Sequence, residues 1–214
     1  RLLLPYMGEA VELLHDGVDI KRLDRIATGF GMPMGPITLY DVVGLDTCFY
    51  AGRVMLESFP DRIVASPLVG RLIKAGRLGQ KSGAGFYKYD NAKKNKKGEL
   101  DPALAEFVEP LARKPQELSN DAVTMRLFLP MLVEATRVLE EKLVRDVRDV
   151  DLGLIFGIGF PPFRGGLLMW ADTLGAAKIV EALKPFESLG NRYKPTPLLL
   201  EMAKHGRKFY DLKL

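Results

Sequence analysis

The 214-residue chain is 47% hydrophobic and 27% charged. That is the balance of a soluble globular protein, long enough for one large domain or two small ones. Its net charge of +4 traces to Lys93-Lys94-Asn95-Lys96-Lys97, a run without the interleaved aromatics of a nucleic-acid surface. Cys48 is the only cysteine, which excludes an intrachain disulfide and a cysteine-based metal site, and no apolar run approaches the ~18 residues of a membrane span.

The chain opens on Arg1-Leu2-Leu3-Leu4, without a methionine or a capping residue. Leu3, Leu4, Met7, Ala10, Val11 and Leu14 recur at helical spacing and predict a first helix with one apolar face. Asp19 can cap a second helix from Ile20 to about Thr28, stopped by Gly29 and Gly31. Met32-Pro33-Met34-Gly35-Pro36 reads as a tight turn. A helix ending near Asp41-Val42-Val43-Gly44 follows, then another from Asp46 to Phe59. Ser66-Pro67 pairs an N-cap with an N1 proline and opens a helix to Ala75, where Gly76 stops it. Ser82 to Tyr89 reads as extended or turn-like, Asn91 to Gly98 as linker, and Asp101 to Ala112 as a short connecting helix.

From there the chain repeats itself. Arg1-Leu2-Leu3-Leu4-Pro5 returns as Arg126-Leu127-Phe128-Leu129-Pro130, and Glu9-Ala10 as Glu134-Ala135. Asp24, Gly29, Gly31 and Pro33 return as Asp151, Gly157, Gly159 and Pro161. Pro67-Leu68, Lys74, Gly76 and Arg77 return as Pro197-Leu198, Lys204, Gly206 and Arg207. The offset drifts from 125 to 131 and stays in order, as small loop insertions would make it. The pattern predicts an all-α chain made of two copies of one unit, with about five helices in each. The boundaries read as 1–90 for the first copy, 91–118 for a linker with a short helix and 119–214 for the second. In the second copy Asp149 to Phe156 reads as a helix ended by Gly157 and Gly159. Arg126 falls inside a helix that starts near Ser119-Asn120-Asp121, whereas Arg1 stands at the chain start. The first copy therefore reads as lacking its helix start, and the chain as a piece of a longer one.

The inventory is poor in catalysts. His15 and His205 both fall near predicted helix C-termini, where an imidazolium suits the helix dipole, and they are not equivalent between copies. No His-x-x-x-His or paired cysteine suggests a metal. Gly83-Ala84-Gly85, preceded by Lys81, is a weak phosphate-loop signal, because it leads into Phe86-Tyr87 rather than into a helix N-terminus. A turn that tucks two aromatics into the core is the simpler reading. Gly29-x-Gly31-x-Pro33 ends a helix and follows no strand, so nothing here builds a dinucleotide-binding fold.

Taken in order, Arg1-Leu2-Leu3-Leu4-Pro5-Tyr6, Glu9-Ala10, Met32-Pro33-Met34-Gly35-Pro36, Asp41-Val42-Val43-Gly44-Leu45-Asp46-Thr47 and Gly79-Gln80-Lys81-Ser82-Gly83-Ala84-Gly85-Phe86-Tyr87 resemble the C-terminal domain of the 3-hydroxyacyl-CoA dehydrogenases. The second copy, with Gly157-Ile158-Gly159-Phe160-Pro161-Pro162-Phe163-Arg164-Gly165-Gly166, is similar to the multifunctional α-subunit type of fatty acid β-oxidation, which also carries a hydratase. The resemblance covers essentially all of the chain. It implies two tandem helical domains like the C-terminal domain of 6-phosphogluconate dehydrogenase, with a short extended Gly-x-Gly-Phe-Tyr segment. It also implies a parent enzyme that oxidises L-3-hydroxyacyl-CoA to 3-ketoacyl-CoA with NAD. The catalytic histidine–glutamate pair and the NAD glycine loop of the family lie upstream of this chain, so no catalytic residue is expected in it and the chain alone is expected to be inactive.

Two positions carry over from the family. Lys81 matches a lysine that reaches the NAD cofactor across the domain cleft. Phe156 matches a position where some members carry a substrate-contacting tyrosine, which leaves an apolar contact here. The implied partners are acyl-CoA through the intact enzyme, the hydratase and NAD domains, and a thiolase subunit or a second copy; nucleic acid and a membrane span are not among them. The implied compartment is cytoplasmic in a bacterium and mitochondrial or peroxisomal in a eukaryote. The competing readings are a stand-alone helical interaction module without catalysis, a basic nucleic-acid binder and the C-terminal region of a 3-hydroxybutyryl-CoA dehydrogenase.

Overall fold

The computed structural model describes residues 1–90 and 98–213. The lysine run at 93–97, read above as linker, lies outside the described residues. The helices are α1 (Leu3–His15), α2 (Ile20–Phe30), α3 (Pro36–Val43), α4 (Leu45–Ser58), α5 (Pro67–Lys74), α6 (Ala105–Val108), α7 (Asn120–Glu140), α8 (Val147–Ile158), α9 (Leu167–Leu174), α10 (Ala176–Leu183) and α11 (Pro197–His205). Single 3-10 turns join several of them. The described residues form no sheet; isolated bridges link Gly79 to Ala84, Ala84 to Lys88 and Lys88 to Glu99. The fold is all-α, as the apolar periodicity predicts.

The chain forms two compact units. The N-terminal unit comprises Met7–Gly29 and Met34–Val123, and the C-terminal unit comprises Arg1–Tyr6, Phe30–Pro33 and Thr124–Leu214.

In the N-terminal unit, Val11, Leu14, Leu23, Ile37, Leu45, Leu68, Leu72 and Phe86 form the core. Asp19 accepts from the amide of Arg22, and Ser66 from the amide of Leu68, so both expected caps form. The connecting segment after α6 closes the end of α1. The amides of Arg113 and Gln116 donate to the carbonyls of His15 and Asp16, which a helix terminus would leave unpaired. The Arg113 guanidinium adds ion pairs of 2.7 Å to Asp16 and 2.8 Å to Glu12. The predicted single helix from Asp101 to Ala112 is instead α6 flanked by 3-10 turns at Pro102–Leu104 and Glu109–Leu111, where the prolines remove amide donors.

In the C-terminal unit, Phe30, Phe128, Phe160 and Trp170 form an aromatic cluster, with Phe30 stacked on Phe128 at 3.9 Å between centroids. The Arg164 guanidinium lies 3.9 Å over Phe30 and donates to its carbonyl. Pro130 stands inside α7 and has no amide to offer the carbonyl of Arg126. The buried hydroxyl of Tyr193 donates to that carbonyl at 2.9 Å and replaces the missing bond. Three boundaries of α2 and α8 differ from expectation. α8 begins at Val147 rather than Asp149, capped by Asp146, with Asp149 completing a reciprocal capping box. Gly29 and Gly157 lie within α2 and α8 rather than ending them. A lone glycine costs a helix about 1 kcal/mol, which the packing of an apolar face outweighs.

Candidate functional site

The site is organised by carboxylates, Asp41 and Asp151 buried and Asp24 and Asp172 half-buried. In the N-terminal unit α3 begins at Gly35, which offers no side-chain cap, followed by Pro36, which has no amide. The cap comes from α2: Asp24 accepts from the amides of Ile37 at 2.9 Å and Thr38 at 3.1 Å, from the Thr38 hydroxyl at 2.7 Å and from the Tyr87 hydroxyl at 2.9 Å. A Cβ on Gly35 would fall 2.1 Å from the Asp24 carboxylate, so the glycine is the space into which the cap reaches. This is the physical content of the Met-Pro-Met-Gly-Pro turn.

At the other end of α3, Asp41 accepts from the amides of Phe86 and Tyr87, each at 2.8 Å, and from the Tyr89 hydroxyl at 2.9 Å. Burial pushes Asp41 up to about 6, against these donors, and raises Asp24 as well. Burial also pushes the phenols of Tyr87 and Tyr89 far above their ordinary value. The carboxylate thus fixes the glycine-rich segment. Phe86, Tyr87 and Tyr89 are buried, so the turn tucks its aromatics into the core as expected. The rest of the turn closes on itself: Gly79 donates to Ala84, Tyr89 to Gly83, and Arg77 to the Gly85 carbonyl.

Lys81 stands at the crest of this turn, within a 3-10 turn spanning Gln80–Ser82. Its side chain is 50% exposed, and its ammonium meets both carboxylate oxygens of Asp46, at 2.6 and 2.7 Å. The hydrogen bond from Lys81 holds the Asp46 carboxyl below its usual value. Asp46 is itself fixed in the first turn of α4 by the Thr47 amide.

The C-terminal unit repeats the carboxylates. Asp151 accepts from the amides of Leu168 at 2.7 Å and Met169 at 3.0 Å and from the Tyr210 hydroxyl at 2.9 Å. Gly166 leaves room for it as Gly35 does for Asp24. Asp172 accepts from the amides of Phe209 at 2.7 Å and Tyr210 at 3.1 Å. Burial raises both carboxyls.

The other candidates fall outside this arrangement. Phe156 lies on α8 in the C-terminal unit and is 84% exposed, in a different unit from Lys81. His15 is buried, and burial holds it below the usual imidazole value; its Nε2 lies 2.8 Å from the Ser66 hydroxyl. His205 is exposed at the end of α11. Cys48 is buried, which pushes its thiol up to about 11, far from a reactive thiolate. It lines an apolar cavity of about 110 Å³ with Gly8, Val11, Phe49 and Gly52. Among the described residues, no His, Cys, Asp or Glu group is arranged to hold a metal ion, and no helix is long and apolar enough to cross a membrane.

Asp41, Tyr89, Asp172 and Tyr210 were not singled out by sequence reasoning. The signal was a Phe-Tyr pair that follows the last helix of each copy at different spacing. Eight residues separate Arg77 from Phe86, and one separates Arg207 from Phe209.

A family model described as 3-hydroxyacyl-CoA dehydrogenase, C-terminal domain, matches residues 1–89 and 123–210. The chain is 42% identical over 213 residues to the fatty acid oxidation complex subunit alpha of Pseudomonas aeruginosa, covering 98% of this chain and 30% of that protein. The subunit of the same description from Ectopseudomonas oleovorans is 40% identical over 214 residues, covering 99% of this chain and 30% of that protein. The chain therefore spans about a third of the length of these relatives. The dehydrogenase part of a C. elegans multifunctional enzyme has a similar fold, with a TM-score of 0.69 at 24% identity over 96% of this chain and 46% of that one. So does the 3-hydroxybutyryl-CoA dehydrogenase of Escherichia coli, with a TM-score of 0.72 at 20% identity over 96% of this chain and 59% of that one.

Proposed function

Since the chain belongs to the 3-hydroxyacyl-CoA dehydrogenase C-terminal domain family, we propose that it is the tandem helical region of an NAD-dependent L-3-hydroxyacyl-CoA dehydrogenase of fatty acid β-oxidation. The observation that carries this reading is the family match on both stretches, with 42% identity across nearly the whole chain to an α subunit. In this reading the two copies occupy 1–90 and 119–214, joined by 91–118, and the region helps exclude water from the parent enzyme's reacting centre.

NAD, when bound, supplies the hydride acceptor. The residues here fit an auxiliary contact to it and not the principal nucleotide fold. A half-exposed ammonium on a turn pinned by a buried carboxylate suits a phosphate or other polar cofactor group. The described residues, by contrast, hold no parallel sheet against which a dinucleotide could lie. Lys81 is the proposed cofactor contact. Phe156, with its ring in solvent, is the proposed apolar contact to the acyl substrate. The hydride-transfer base belongs to the parent enzyme outside these residues. Because the relatives are named as subunits of a complex, the proposed parent works with a partner subunit that carries the thiolase step. With bacterial relatives, the proposed compartment is the cytoplasm.

The test is NAD reduction followed at 340 nm with a 3-hydroxyacyl-CoA. The full-length polypeptide carrying these residues is expected to reduce NAD, and the 214-residue chain alone is not. Turnover by the isolated chain, or none by the full-length protein, contradicts the reading.

A further inference from the structure

The two units share a scaffold and differ in what is built on it. Gly44 follows α3 and Gly175 follows α9 in nearly the same backbone conformation, φ 99 ψ 129 and φ 87 ψ 137. Asp41 and Asp172 each take two consecutive amides of a Phe-Tyr pair. Against this match, the N-terminal unit inserts a glycine-rich turn that carries Lys81, and the C-terminal unit has nothing in its place. Two residues after Gly44 stands Asp46; two after Gly175 stands Ala177. Cation and carboxylate occur together in one unit and are both missing from the other.

Stability does not explain the pair. It is exposed, and exposed ion pairs contribute little once solvent screening and side-chain entropy are counted. The C-terminal unit folds its equivalent clamp without it. The geometry is nonetheless specific. The carboxylate is set in place by the Thr47 amide before it meets the lysine. A Cβ on Gly44 would fall 2.9 Å from the Asp46 carboxylate and 3.2 Å from the Lys81 ammonium, so the glycine leaves room for both. Both carboxylate oxygens are spent on the ammonium, and two of its three N–H donors are spent on them.

Resting on the reading of Lys81 as a cofactor contact, we infer that Asp46 is a positioning residue: a latch that holds the Lys81 ammonium at the start of α4, neutralises it, and yields it to an anionic group of the dinucleotide. The latch is weak enough to exchange, because a phosphate oxygen offers the ammonium an equivalent charge-assisted bond. With Asp46 in place an arriving anion meets a compensated pair; without it, the anion meets a free positive charge.

The test is a double-mutant cycle on the full-length polypeptide, with the dissociation constant for NAD read directly by calorimetry. Lys81→Met is expected to weaken NAD. Asp46→Asn is expected to tighten it by about three- to fivefold, the scale of one solvent-screened charge. The tightening is expected to shrink as salt rises and to vanish in the Lys81→Met background. Thermal unfolding of both variants is expected to match the parent, which separates the effect from a folding defect. An Asp46→Asn protein that binds NAD no tighter, while Lys81→Met weakens it, overturns the latch alone. Tightening that persists without Lys81 overturns it too. If Lys81→Met leaves NAD binding unchanged, the cofactor reading of Lys81 fails and the latch falls with it.

Discussion

The N-terminal and C-terminal units use the same four-part device. A carboxylate from the second helix caps the third across a glycine, and a carboxylate at the end of that third helix binds two amides of a Phe-Tyr pair. In both, the tyrosine hydroxyl returns to the first carboxylate and ties the two together. The units part company around this frame. The N-terminal unit adds Tyr89 as a third donor to Asp41, raises an exposed lysine on an inserted turn, and keeps glycines at positions 8 and 52 beside an apolar cavity. By the sequence offsets, the matching positions in the C-terminal unit are Val133 and Leu183, both fully buried. One copy is filled for stability and the other is left open, with polar groups at its surface.

The largest expected effect separates the two clamps. Asp41→Ala strands two buried amides and a buried phenol, whereas Asp172→Ala strands two half-buried amides. Urea unfolding is expected to show losses of about 4 kcal/mol for the first and about 2 kcal/mol for the second. Equal losses would break the comparison.

Next comes pH. Asp41 sits at about 6 in the folded chain against 3.8 as the reference value. The native state therefore takes the proton first, and this group favours folding most at acid pH. Its contribution declines as pH rises from about 4 to about 6 and is constant above, a span of about 3 kcal/mol. A carboxyl carbon titration by NMR checks this, with a midpoint near 6 expected for Asp41 and one at or below 4 refuting it.

Smaller again is Tyr193→Phe, which removes the hydroxyl that donates to the Arg126 carbonyl and is expected to cost about 1–2 kcal/mol. Adding Pro130→Ala supplies an amide to the same carbonyl and is expected to recover most of that loss in thermal unfolding. If the double variant is no better than Tyr193→Phe, the bond is not a substitute for the helix bond. The smallest effect is Gly52→Ala. Its Cβ meets nothing within 4 Å, so the substitution is expected to stabilise the chain by about 0.5–1 kcal/mol. A loss would mean that the cavity wall is not open.

The helices and their caps were legible because their causes are local. Ser66-Pro67 sits next to the amide it serves and caps as its sequence predicts, and Thr196-Pro197 forms the same kind of cap. The recurrence of Asp24 as Asp151 is legible because it keeps the order of the chain. Their task is not, since each caps a helix 13 to 17 residues downstream, and no local pattern announces a partner at that range. In the sequence Asp41 marks only a helix end, and Asp172 carries no signal of its own. The Phe-Tyr pairs they hold fell out of register because the inserted turn shifts one of them by several residues. Lys81 shows in the sequence as a weak phosphate-loop signal and by resemblance, and its pairing with Asp46, 35 residues away, needs the fold. His15 stands in the last turn of α1, where its place in the sequence puts it, but burial there works against the imidazolium that a helix end favours.

Amide hydrogen exchange on the 214-residue chain tests the duplicated clamp most directly. The amides of Phe86, Tyr87, Phe209 and Tyr210 donate to side-chain carboxylates, and all four are expected to be protected well beyond open-chain rates. Protection at Phe86 and Tyr87 with open-chain exchange at Phe209 and Tyr210 would contradict the account, for then the device would have been built only once.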